Sequence, residues 1–545
     1  MADYDLVILG SGAGGLVAAL AAARSGLKPL VIEKRSILGG STAVSSGVVW
    51  LPNNALLAKA GVHDSPELAR TYFDSLVDDS VPWTSRARQG AFLDASPRVY
   101  DLLEEQGIGM RFRTDGYPDY YSQRPGGLVG GRSIEPQGVP SSSLSAWLDR
   151  LPPYLYPVVA YGSEMPFLKL GFRTWKGRFT LLRTVLRTIR SKIPGQGTVT
   201  MGRSLVGQLL VALERHGVEI WTETEVEDLV HTNGVVSGVV GTRAGQPFEL
   251  AARAVLLATG GFGKNDEMRR KYSPAPVASQ WSAAQDGDTG GGILLAQKHG
   301  AALAEMDEAW WEPSVVLPNG TPVIAVAERF LPHSFMVDGT GQRYMNEAAP
   351  YVEAGQAMLR RDQDSPAVPS WLVFDSRYRN RYVFLTMPPR YFPRSWYREG
   401  VVTKAADLTT LAAKCGIDPT NLTATAERFN GFARAGHDDD FGRGSTAYSD
   451  YYGDPRHTPN PSLGTVEEGP FYAVPIYPGD VGTCGGIVTD EYGRALREDG
   501  SIIEGLYAAG NAAAPVFGAG YPGAGASIAH AMAFGMLTAE HVAAH

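Results

Sequence analysis

Apolar runs of strand length alternate with helical patterns at the start of the chain. Residues 4–9 (YDLVIL) read as a short buried strand, and residues 16–26 (LVAALAAARSG) have the small-residue pattern of a buried helix. A second strand is predicted over 29–33 (PLVIE). Because parallel strands need a crossover connection, this order predicts a βαβ unit at the edge of a parallel sheet.

The pattern becomes less regular further along. A helix followed by a strand is predicted over 203–229, and the apolar runs VVSGVVG and AVLLATGG follow by residue 260, which predicts a meander added to the first sheet. Residues 306–468 are richer in Trp, Pro, Tyr and charge, and they contain a helix candidate at 405–436. A strand ending in glycine (505–511) and one long helix (525–544) close the chain.

Composition narrows the class of protein. The 545 residues are 44% hydrophobic and only 19% charged, and 49 basic against 57 acidic residues give a net charge of −8. This argues against a disordered chain and against a nucleic-acid partner. The two cysteines, Cys415 and Cys484, exclude a disulfide framework and fit a reducing cytoplasm. We expect no signal peptide, and no apolar run reaches the ~18 residues of a membrane span.

The 64 glycines cluster, and the most informative cluster follows the first strand. In Gly10-x-Gly12-x-x-Gly15, the first glycine permits a tight turn, the second lets a pyrophosphate approach the backbone, and the third lets helix and strand pack closely. The helix N-terminus offers free N–H groups to phosphate, and Glu33 at the end of the next strand would accept hydrogen bonds from a ribose. The candidate cofactor residues here are Gly10, Gly12, Ala13, Gly14, Gly15, Glu33 and Lys34.

Three later segments, GGSTA with Ser46-Gly47, ATGGF and GLYAAGN, resemble FAD-binding segments of the fumarate reductase/succinate dehydrogenase flavoprotein superfamily. The resemblance implies FAD and an α/β fold, in which a Rossmann-type FAD-binding domain (1–305 and 469–545) is split by an inserted α+β catalytic domain (306–468). Several members attach FAD to a histidine, but residues 41–50 contain none, so we expect non-covalent FAD. The further binding residues implied are Gly40, Ser41, Thr42, Ser46, Gly47, Val226, Thr259, Gly260, Gly261, Gly510, Asn511, Ala526 and Ser527.

The segment Arg343–Val352 (RYMNEAAPYV) bears on the reaction. In the fumarate reductases a segment of the form R-F-x-N-E-x-x-x-R-D supplies an arginine that donates a proton to the substrate, and here Tyr351 stands at that position. An arginine binds a dicarboxylate, whereas a phenol with a pKa near ~10 has little affinity for anions. The exchange therefore favours a neutral substrate.

Four motifs in order resemble the branch of 3-ketosteroid dehydrogenases that introduce a 1,2 double bond. In chain order they are YPDYY (117–121) followed by GRSI (131–134), Tyr351 in its segment, GDVGTCGG (479–486), and YPGAG (521–525). The sequence departs from the branch at Ala524, where a Pro is usual, and at Ala348 and Val352, where Ser and Asp are frequent. These departures bear on the substrate more than on the reaction type.

The resemblance implies roles for four residues. The Tyr521 hydroxyl and the Gly525 amide would hydrogen-bond the C3 carbonyl oxygen, as donors do in an oxyanion hole. Tyr351 would take the C2 proton, and Tyr120 would donate a hydrogen bond that favours the Tyr351 phenolate. Hydride from C1 would pass to flavin N5, and the helix that starts near Ala526 would direct its positive end at the flavin.

Other functions stay open at this point. A flavin-dependent desaturase of simpler cyclic ketones, such as cyclohexanones, would use the same tyrosines. A reductase would need a cationic acid at Tyr351, and a purely structural or electron-passing flavoprotein would not need the tyrosines. A quinone or another acceptor would reoxidise the flavin. The ten histidines form no metal cluster in the sequence, so we expect no metal.

Residues 151–197 form a segment of unusual charge. From 165 to 197 it carries eight basic and no acidic residues, and Phe179, Leu182, Val185, Leu186, Ile189 and Ile193 recur at helical spacing. A basic amphipathic helix of this kind can lie on a membrane surface, so 165–195 predicts peripheral contact with the inner face of the membrane. The alternative is a helix packed on the protein's own acidic surface or at a subunit interface.

Overall fold

The computed structural model describes residues 2–144, 146–154, 158–193 and 195–545. Its strands are β1 (Tyr4–Leu9), β2 (Pro29–Ile32), β3 (Val49–Trp50), β4 (Met110–Arg111), β5 (Ser133–Pro136), β6 (Val139–Pro140), β7 (Thr198–Val199), β8 (Glu219–Trp221), β9 (Thr224–Thr232), β10 (Val235–Arg243), β11 (Gln246–Leu257), β12 (Leu303–Ala304), β13 (Ala309–Val316), β14 (Pro322–Ile324), β15 (Ser334–Val337), β16 (Ser370–Phe374), β17 (Thr403–Ala405), β18 (Phe471–Thr483), β19 (Gly486–Ile487), β20 (Arg494–Leu496) and β21 (Ile502–Ala508). Its helices are α1 (Ala13–Arg24), α2 (Gly40–Val44), α3 (Ala55–Lys59), α4 (Pro66–Asp74), α5 (Arg86–Glu105), α6 (Met165–Lys169), α7 (Trp175–Arg190), α8 (Met201–Arg215), α9 (Asp266–Tyr272), α10 (Gly291–Lys298), α11 (Tyr351–Asp362), α12 (Ser376–Arg381), α13 (Arg394–Arg398), α14 (Leu408–Cys415), α15 (Pro419–Ala435), α16 (Ala447–Tyr452) and α17 (Ala526–Ala544).

The first sheet has a parallel centre, in the order β21–β11–β1–β2–β8. β20 pairs antiparallel with the edge strand β21, and β9, β10 and β11 form an antiparallel meander. The βαβ unit and the meander that the pattern predicts are thus both present. Side chains of β1 alternate between two hydrophobic clusters: Leu6 and Ile8 lie on one face, and Val7 and Leu9 on the other. Both faces are therefore covered, as in parallel sheets generally.

Helices α1 and α17 cross on one face of this sheet at backbone distance. A Cβ atom on Gly14 would lie 2.9 Å from the carbonyl oxygen of Ala531, and one on Gly535 would lie 2.3 Å from that of Gly14. Only small residues permit this approach, which accounts for the alanine-rich sequence of α1. The crossing holds the N-terminal ends of the two helices near the same cavity.

A second sheet of six antiparallel strands has the order β14–β13–β18–β16–β15, with β17 also paired to β18. Most of its strands come from the segment 306–468. The long strand β18, however, lies in the returning segment that begins at 469, and it pairs with both β13 and β16. The division of the chain at 305 and 468 stays a prediction.

Two predicted elements are broken in the structure. The helix candidate at 405–436 is two helices, α14 and α15, because Gly416 has a left-handed backbone (φ 72°) and Asp418 caps a new helix before Pro419. The strand predicted up to residue 229 is likewise two strands, β8 and β9. They separate at Glu223, whose φ is +52°, and they pair with different neighbours.

A buried ion network fixes the loop that precedes β5. The guanidinium of Arg132 bonds Asp64 at 2.7 Å and Asp119 at 2.8 Å, and all three side chains are almost completely buried. The indole N–H of Trp50 donates to the same Asp119 carboxylate at 2.8 Å. Burial raises the pKa of Asp119, and the charge of Arg132 opposes that shift. The network thus holds residue 119, and with it residue 120, against β3 and β5.

We expect Arg132→Met to destabilise the protein by about 3–5 kcal/mol, because it leaves two buried carboxylates without their cation. Urea unfolding followed by circular dichroism measures this loss. Arg398→Met is the control, since Arg398 pairs with Glu399 at an exposed site and should change stability by less than about 1 kcal/mol. Equal effects of the two substitutions would contradict a structural role for the network.

Candidate active site

A cavity of about 1340 Å³ extends from the glycine loop after β1 to a group of buried tyrosines. Pockets for one small ligand usually measure about 300–1,000 Å³, so this cavity has room for a cofactor and a second molecule. Most of the residues predicted from the sequence line it: Gly10, Gly12, Ala13, Gly14, Glu33, Lys34, Gly40, Ser41, Thr42, Ser46, Tyr120, Val226, Thr259, Gly260, Tyr351, Gly510, Asn511, Tyr521, Gly525 and Ser527.

Four predicted cofactor residues do not line this cavity: Gly15, Gly47, Gly261 and Ala526. A Cβ atom on any of the three glycines would fall within 3 Å of protein atoms, and for Gly15 it would lie 2.1 Å from the carbonyl oxygen of Gly10. Ala526 is fully buried. In the structure these residues serve close packing behind the cavity wall.

The glycine loop is shaped to receive an anion. Gly10 has φ 107°, and a Cβ there would lie 2.3 Å from the carbonyl oxygen of Ala258, so the turn requires glycine. At Gly12 the nearest atom to a Cβ would be 3.9 Å away, which leaves open space over the loop. The amides of Gly12 and Gly14 have no acceptor among the described residues, and they lie at the N-terminus of α1. A pyrophosphate fits this position.

Glu33 stands at the end of β2, beside the loop. Its Oε2 accepts hydrogen bonds from the N–H (3.1 Å) and the hydroxyl (2.6 Å) of Ser11, and its Oε1 accepts from the Arg35 amide at 3.1 Å. A carboxylate has about four acceptor positions. One therefore remains for a ribose hydroxyl, and the nucleotide end of the cavity fits FAD.

Asp288 is a polar residue of this wall that the sequence reasoning missed. It is buried, and it accepts a hydrogen bond of 2.9 Å from the hydroxyl of Ser41. Burial is the main cause that raises its pKa to about 7, and the charges of Asp480 and Glu33 add to it. The glycine-rich stretch GDTGGG (287–292) around it was the available signal.

Tyr120, Tyr351 and Tyr521 meet at the other end of the cavity. The distances between their ring centroids are 5.4 Å (Tyr120–Tyr351), 5.7 Å (Tyr120–Tyr521) and 5.6 Å (Tyr351–Tyr521). They come from the loop before β5, from the first residue of α11 and from the loop before α17. Three segments that are far apart in sequence thus supply one group of phenols.

Ser527, in the first turn of α17, orients the Tyr521 hydroxyl. Its amide N–H donates to the Tyr521 oxygen at 3.3 Å, and the two hydroxyls lie 2.9 Å apart. Burial raises the pKa of Tyr521, and the hydrogen bonds from Ser527 oppose this. The phenol therefore stays protonated at neutral pH. When the Ser527 hydroxyl donates as well, the Tyr521 proton is free for an acceptor in the cavity.

Gly525 precedes α17 and lines the same wall. Its φ is +88°, and a Cβ there would lie 2.1 Å from the carbonyl oxygen of Val48. Its amide lies near enough to the Tyr521 oxygen to lower the pKa of that phenol. Glycine is thus required here by the left-handed backbone and by the close approach of Val48 and Val49.

The surroundings of Tyr351 favour its protonated form. Burial raises its pKa well above the ordinary value, and the neighbouring Tyr521 and Glu312 add to the shift. Hydrogen bonding with Tyr120 lowers the pKa. The influence of Tyr120 thus has the direction expected from the sequence, but burial outweighs it.

Helices α6 and α7 form the apolar end of the cavity, and ion pairs hold this segment in place. Arg173 bonds Asp454 at 2.7 Å and Arg187 bonds Glu164 at 2.7 Å, while Lys169 pairs with Glu328. Lys169 and Arg113 are the cations that line this end among the described residues, and Arg113 bonds Asp115 at 2.6 Å. No unpaired cation therefore faces this end within the described part of the wall.

Helix α7 presents its hydrophobic residues to solvent. The inward face consists of Gly177, Thr180 and Thr184, which are buried. The outward side chains are 43% to 81% exposed: Trp175, Phe179, Leu182, Val185, Leu186 and Ile189. The predicted helical spacing is present. Arg187, however, points inward and donates a hydrogen bond to Glu164, so it is not part of the exposed face. None of the helices in the described part of the chain has the length and hydrophobicity needed to cross a bilayer.

Comparison with known proteins identifies the family. Residues 5–528 match the FAD binding domain family. A 3-oxosteroid 1-dehydrogenase of Mycobacterium tuberculosis is 44% identical over 99% of this chain and 98% of its own. The chain belongs to the 3-ketosteroid Δ1-dehydrogenase family. A crystal structure of the 3-ketosteroid Δ1-dehydrogenase from Sterolibacterium denitrificans, in complex with 1,4-androstadiene-3,17-dione, superposes with a TM-score of 0.92 at 34% identity and covers 99% of both chains.

Another relative of this chain is named for a smaller substrate. A 4-oxocyclohexanecarboxylate 2-dehydrogenase of Sinomonas cyclohexanicum is 37% identical over 99% of this chain and 93% of its own. Members of the 3-ketosteroid Δ1-dehydrogenase family are FAD-dependent oxidoreductases that act on CH–CH groups, and FAD is therefore the cofactor of this chain. Within the described residues, no three His, Cys, Asp or Glu side chains are placed to hold a metal ion.

We expect the purified protein to be yellow and to release its flavin on acid precipitation. The described residues that line the cavity include no histidine or cysteine for a covalent bond. Absorbance of the supernatant and of the redissolved pellet at the flavin wavelengths measures the distribution. Flavin that remains in the pellet after washing would show covalent attachment.

Proposed function

We propose that this chain is an FAD-dependent 3-ketosteroid 1-dehydrogenase, which introduces the double bond between C1 and C2 next to the C3 carbonyl. The observation that carries the proposal is the group of three phenols beside the Gly525 amide, at the apolar end of a cavity that begins at the FAD-binding loop. We also propose the domain division 1–305, 306–468 and 469–545, with the catalytic domain inserted.

Polarisation of the C3 carbonyl is the role of Tyr521 and Gly525. The raised pKa keeps the Tyr521 proton in place as a hydrogen-bond donor, and Ser527 orients the phenol. Two fixed donors stabilise the enolate oxygen as it forms, and one such donor contributes about 3 kcal/mol. This stabilisation makes the C2 proton acidic enough to be removed.

Tyr351 is the base for the C2 proton, and it must therefore be ionised. Its pKa is raised by burial and lowered by Tyr120, so the ionised fraction grows as pH rises. When bound, FAD would supply the acceptor for the hydride from C1. The chain's own contribution is to hold the carbonyl, the base and the ring system in one water-poor space.

The cavity favours a steroid over a small keto acid. A carboxylate such as that of 4-oxocyclohexanecarboxylate would need a free cation, and both cations at the substrate end are paired with buried carboxylates. The wall there is apolar, with Met165, Leu168 and Leu181 among its residues. A neutral, extended ring system matches both features.

The first test is anaerobic reduction of the bound flavin. We expect a 3-keto-4-ene steroid to bleach the flavin absorbance, and cyclohexanone and 4-oxocyclohexanecarboxylate to do so more slowly at equal concentration. Tyr351→Phe should retain FAD but lose nearly all reduction, because it removes the base. Faster reduction by the keto acid would favour the smaller substrate, and near-normal reduction in the variant would remove Tyr351 from the mechanism.

A comparison of Tyr120→Phe with Tyr521→Phe separates the two phenols that flank Tyr351. Removal of the Tyr120 hydroxyl takes away a cause that lowers the Tyr351 pKa, so the rise of kcat/KM with pH should move to higher pH. Tyr521→Phe should lower kcat by about 10²–10³ through loss of a carbonyl donor. In Tyr521→Phe the rise of kcat/KM with pH should not move to higher pH, because Tyr521 raises the Tyr351 pKa. An unchanged profile in Tyr120→Phe would exclude the helper role.

The outward face of α7 supports a second element of the proposal, peripheral contact with an anionic membrane such as the cytoplasmic leaflet. Its apolar side chains are flanked by the basic residues Lys176, Arg178, Arg183, Arg190 and Lys192. Each such charge near an anionic leaflet contributes about 1 kcal/mol. Val185 and Phe172 border both this face and the cavity, so a sterol or a quinone acceptor could pass from lipid to the active site.

Liposome flotation tests this contact. The protein should float with anionic vesicles at low salt and less at high salt. The double variant Phe179→Ser with Leu182→Ser should stay in the bottom fraction, without the vesicles. Val129→Ser with Val235→Ser is the control, because those residues are exposed elsewhere on the surface. If the unaltered protein does not float at low salt, α7 is a lid or a subunit interface.

A further inference from the structure

Glu312 is a buried acid in the cavity wall to which the mechanism above assigns no role. It lies on β13, its residue is 2% exposed, and it lines the cavity. Its Oε1 is sealed from solvent and has no hydrogen-bond partner among the described residues. Buried carboxyl oxygens are almost always hydrogen-bonded, so an oxygen without a partner calls for an explanation.

The alternation of β13 turns Glu312 toward the tyrosines. Trp310, two residues earlier on the same face, packs on the Tyr521 ring at 5.0 Å and lines the cavity. Trp311, on the opposite face, abuts α11, where a Cβ on Gly355 would lie 2.4 Å from the Trp311 Cβ. Two residues along a strand span about 7 Å. Glu312 is therefore one pleat from Trp310, on the face of β13 that contacts Tyr521, and it lines the same cavity as Tyr351.

The groups around Glu312 also lack hydrogen-bond partners within the described part of the chain. Arg329 attracts its carboxylate but forms no ion pair with it, and one terminal nitrogen of Arg329 and the Tyr448 hydroxyl also lack partners among the described residues. Three unfilled hydrogen-bonding groups in one buried region are typical of an internal water site. Burial raises the pKa of Glu312 to about 8. The charged or titratable groups facing it are Glu328, Arg329, Tyr351, Tyr448 and Tyr452.

We propose that Glu312 receives, through an intervening water, the proton that Tyr351 removes from the substrate. This rests on the proposed function. The C2–H bond breaks as the O–H bond of Tyr351 forms, and the electron pair stays on the substrate. The Tyr351 proton then passes to the water, which gives one of its own protons to the Glu312 carboxylate. The carboxylic acid releases that proton to solvent, which restores the fraction of Tyr351 that is ionised at that pH.

The site requires a proton acceptor other than its phenols. Tyr351 sits among buried phenols that are themselves protonated, so none of them can take its proton. A carboxyl that titrates near pH 8 can both accept and release a proton under ordinary conditions. Because Glu312 accepts only when ionised, proton release should accelerate as pH rises through about 8.

The test follows proton release in a single turnover. Holoenzyme is mixed anaerobically with a 3-keto-4-ene steroid in weak buffer that contains a pH indicator, and flavin absorbance is recorded in parallel. The unaltered protein should release the proton in step with flavin reduction. Glu312→Gln, which cannot accept a proton, should release it about tenfold or more slowly. In steady state, the pH dependence of turnover near pH 8 should be absent in Glu312→Gln.

Glu308→Gln is the matched control. Glu308 lies just before β13, and its carboxyl accepts from the Trp311 indole at 2.7 Å, but it does not line the cavity. Release at the unaltered rate in Glu312→Gln, with an unchanged pH profile, would overturn the relay. If Glu312→Gln does not hold FAD, Glu312→Asp is the test variant. Its shortened carboxyl should slow proton release, and release at the unaltered rate would refute the relay role of Glu312. Absence of any flavin reduction in the unaltered protein would instead refute the proposed function.

Discussion

The buried guanidinium of Arg132 is the interaction on which the geometry of the active site depends. It binds Asp119, the residue before Tyr120, and Ser133 beside it donates its hydroxyl to the carbonyl of Ala524 at 2.9 Å. The amide of Tyr120 in turn donates to the carbonyl of Pro522 at 3.1 Å. A buried ion pair of this kind adds little net stability, but it allows few alternative arrangements. The segment that carries Tyr120 is thereby fixed against the segment that carries Tyr521.

Within the active site held by Arg132, the three tyrosines perform different tasks. Burial raises the pKa of Tyr120, Tyr351 and Tyr521 alike, so desolvation cannot distinguish a donor from a base. The hydrogen-bond partners make the distinction. Ser527 holds Tyr521 from the first turn of α17, whereas Tyr351 depends on another phenol. Environment, rather than chemical identity, assigns acid and base roles in such sites.

The sequence predicts those parts of the molecule whose cause is local. The strand at 4–9, the glycine loop and the final helix follow from patterns in a few adjacent residues, and motif resemblance identified the tyrosines. The break at Glu223 was missed because it depends on which neighbours β8 and β9 pair with. Asp288 and Glu312 were missed for a related reason. Their importance comes from burial and from partners that are few or absent, and these are properties of the assembled fold.

Helix α7 shows the same limit, since its periodicity predicted an amphipathic helix but not which face lies inward. The buried threonines and the exposed apolar side chains have a consequence for the protein in plain buffer. A hydrophobic face can be covered only once. Without lipid, two molecules can cover it by facing each other, so self-association and lipid binding compete for one surface. The fraction bound to vesicles should then depend on protein concentration as well as on lipid, and detergent should dissociate the pairs.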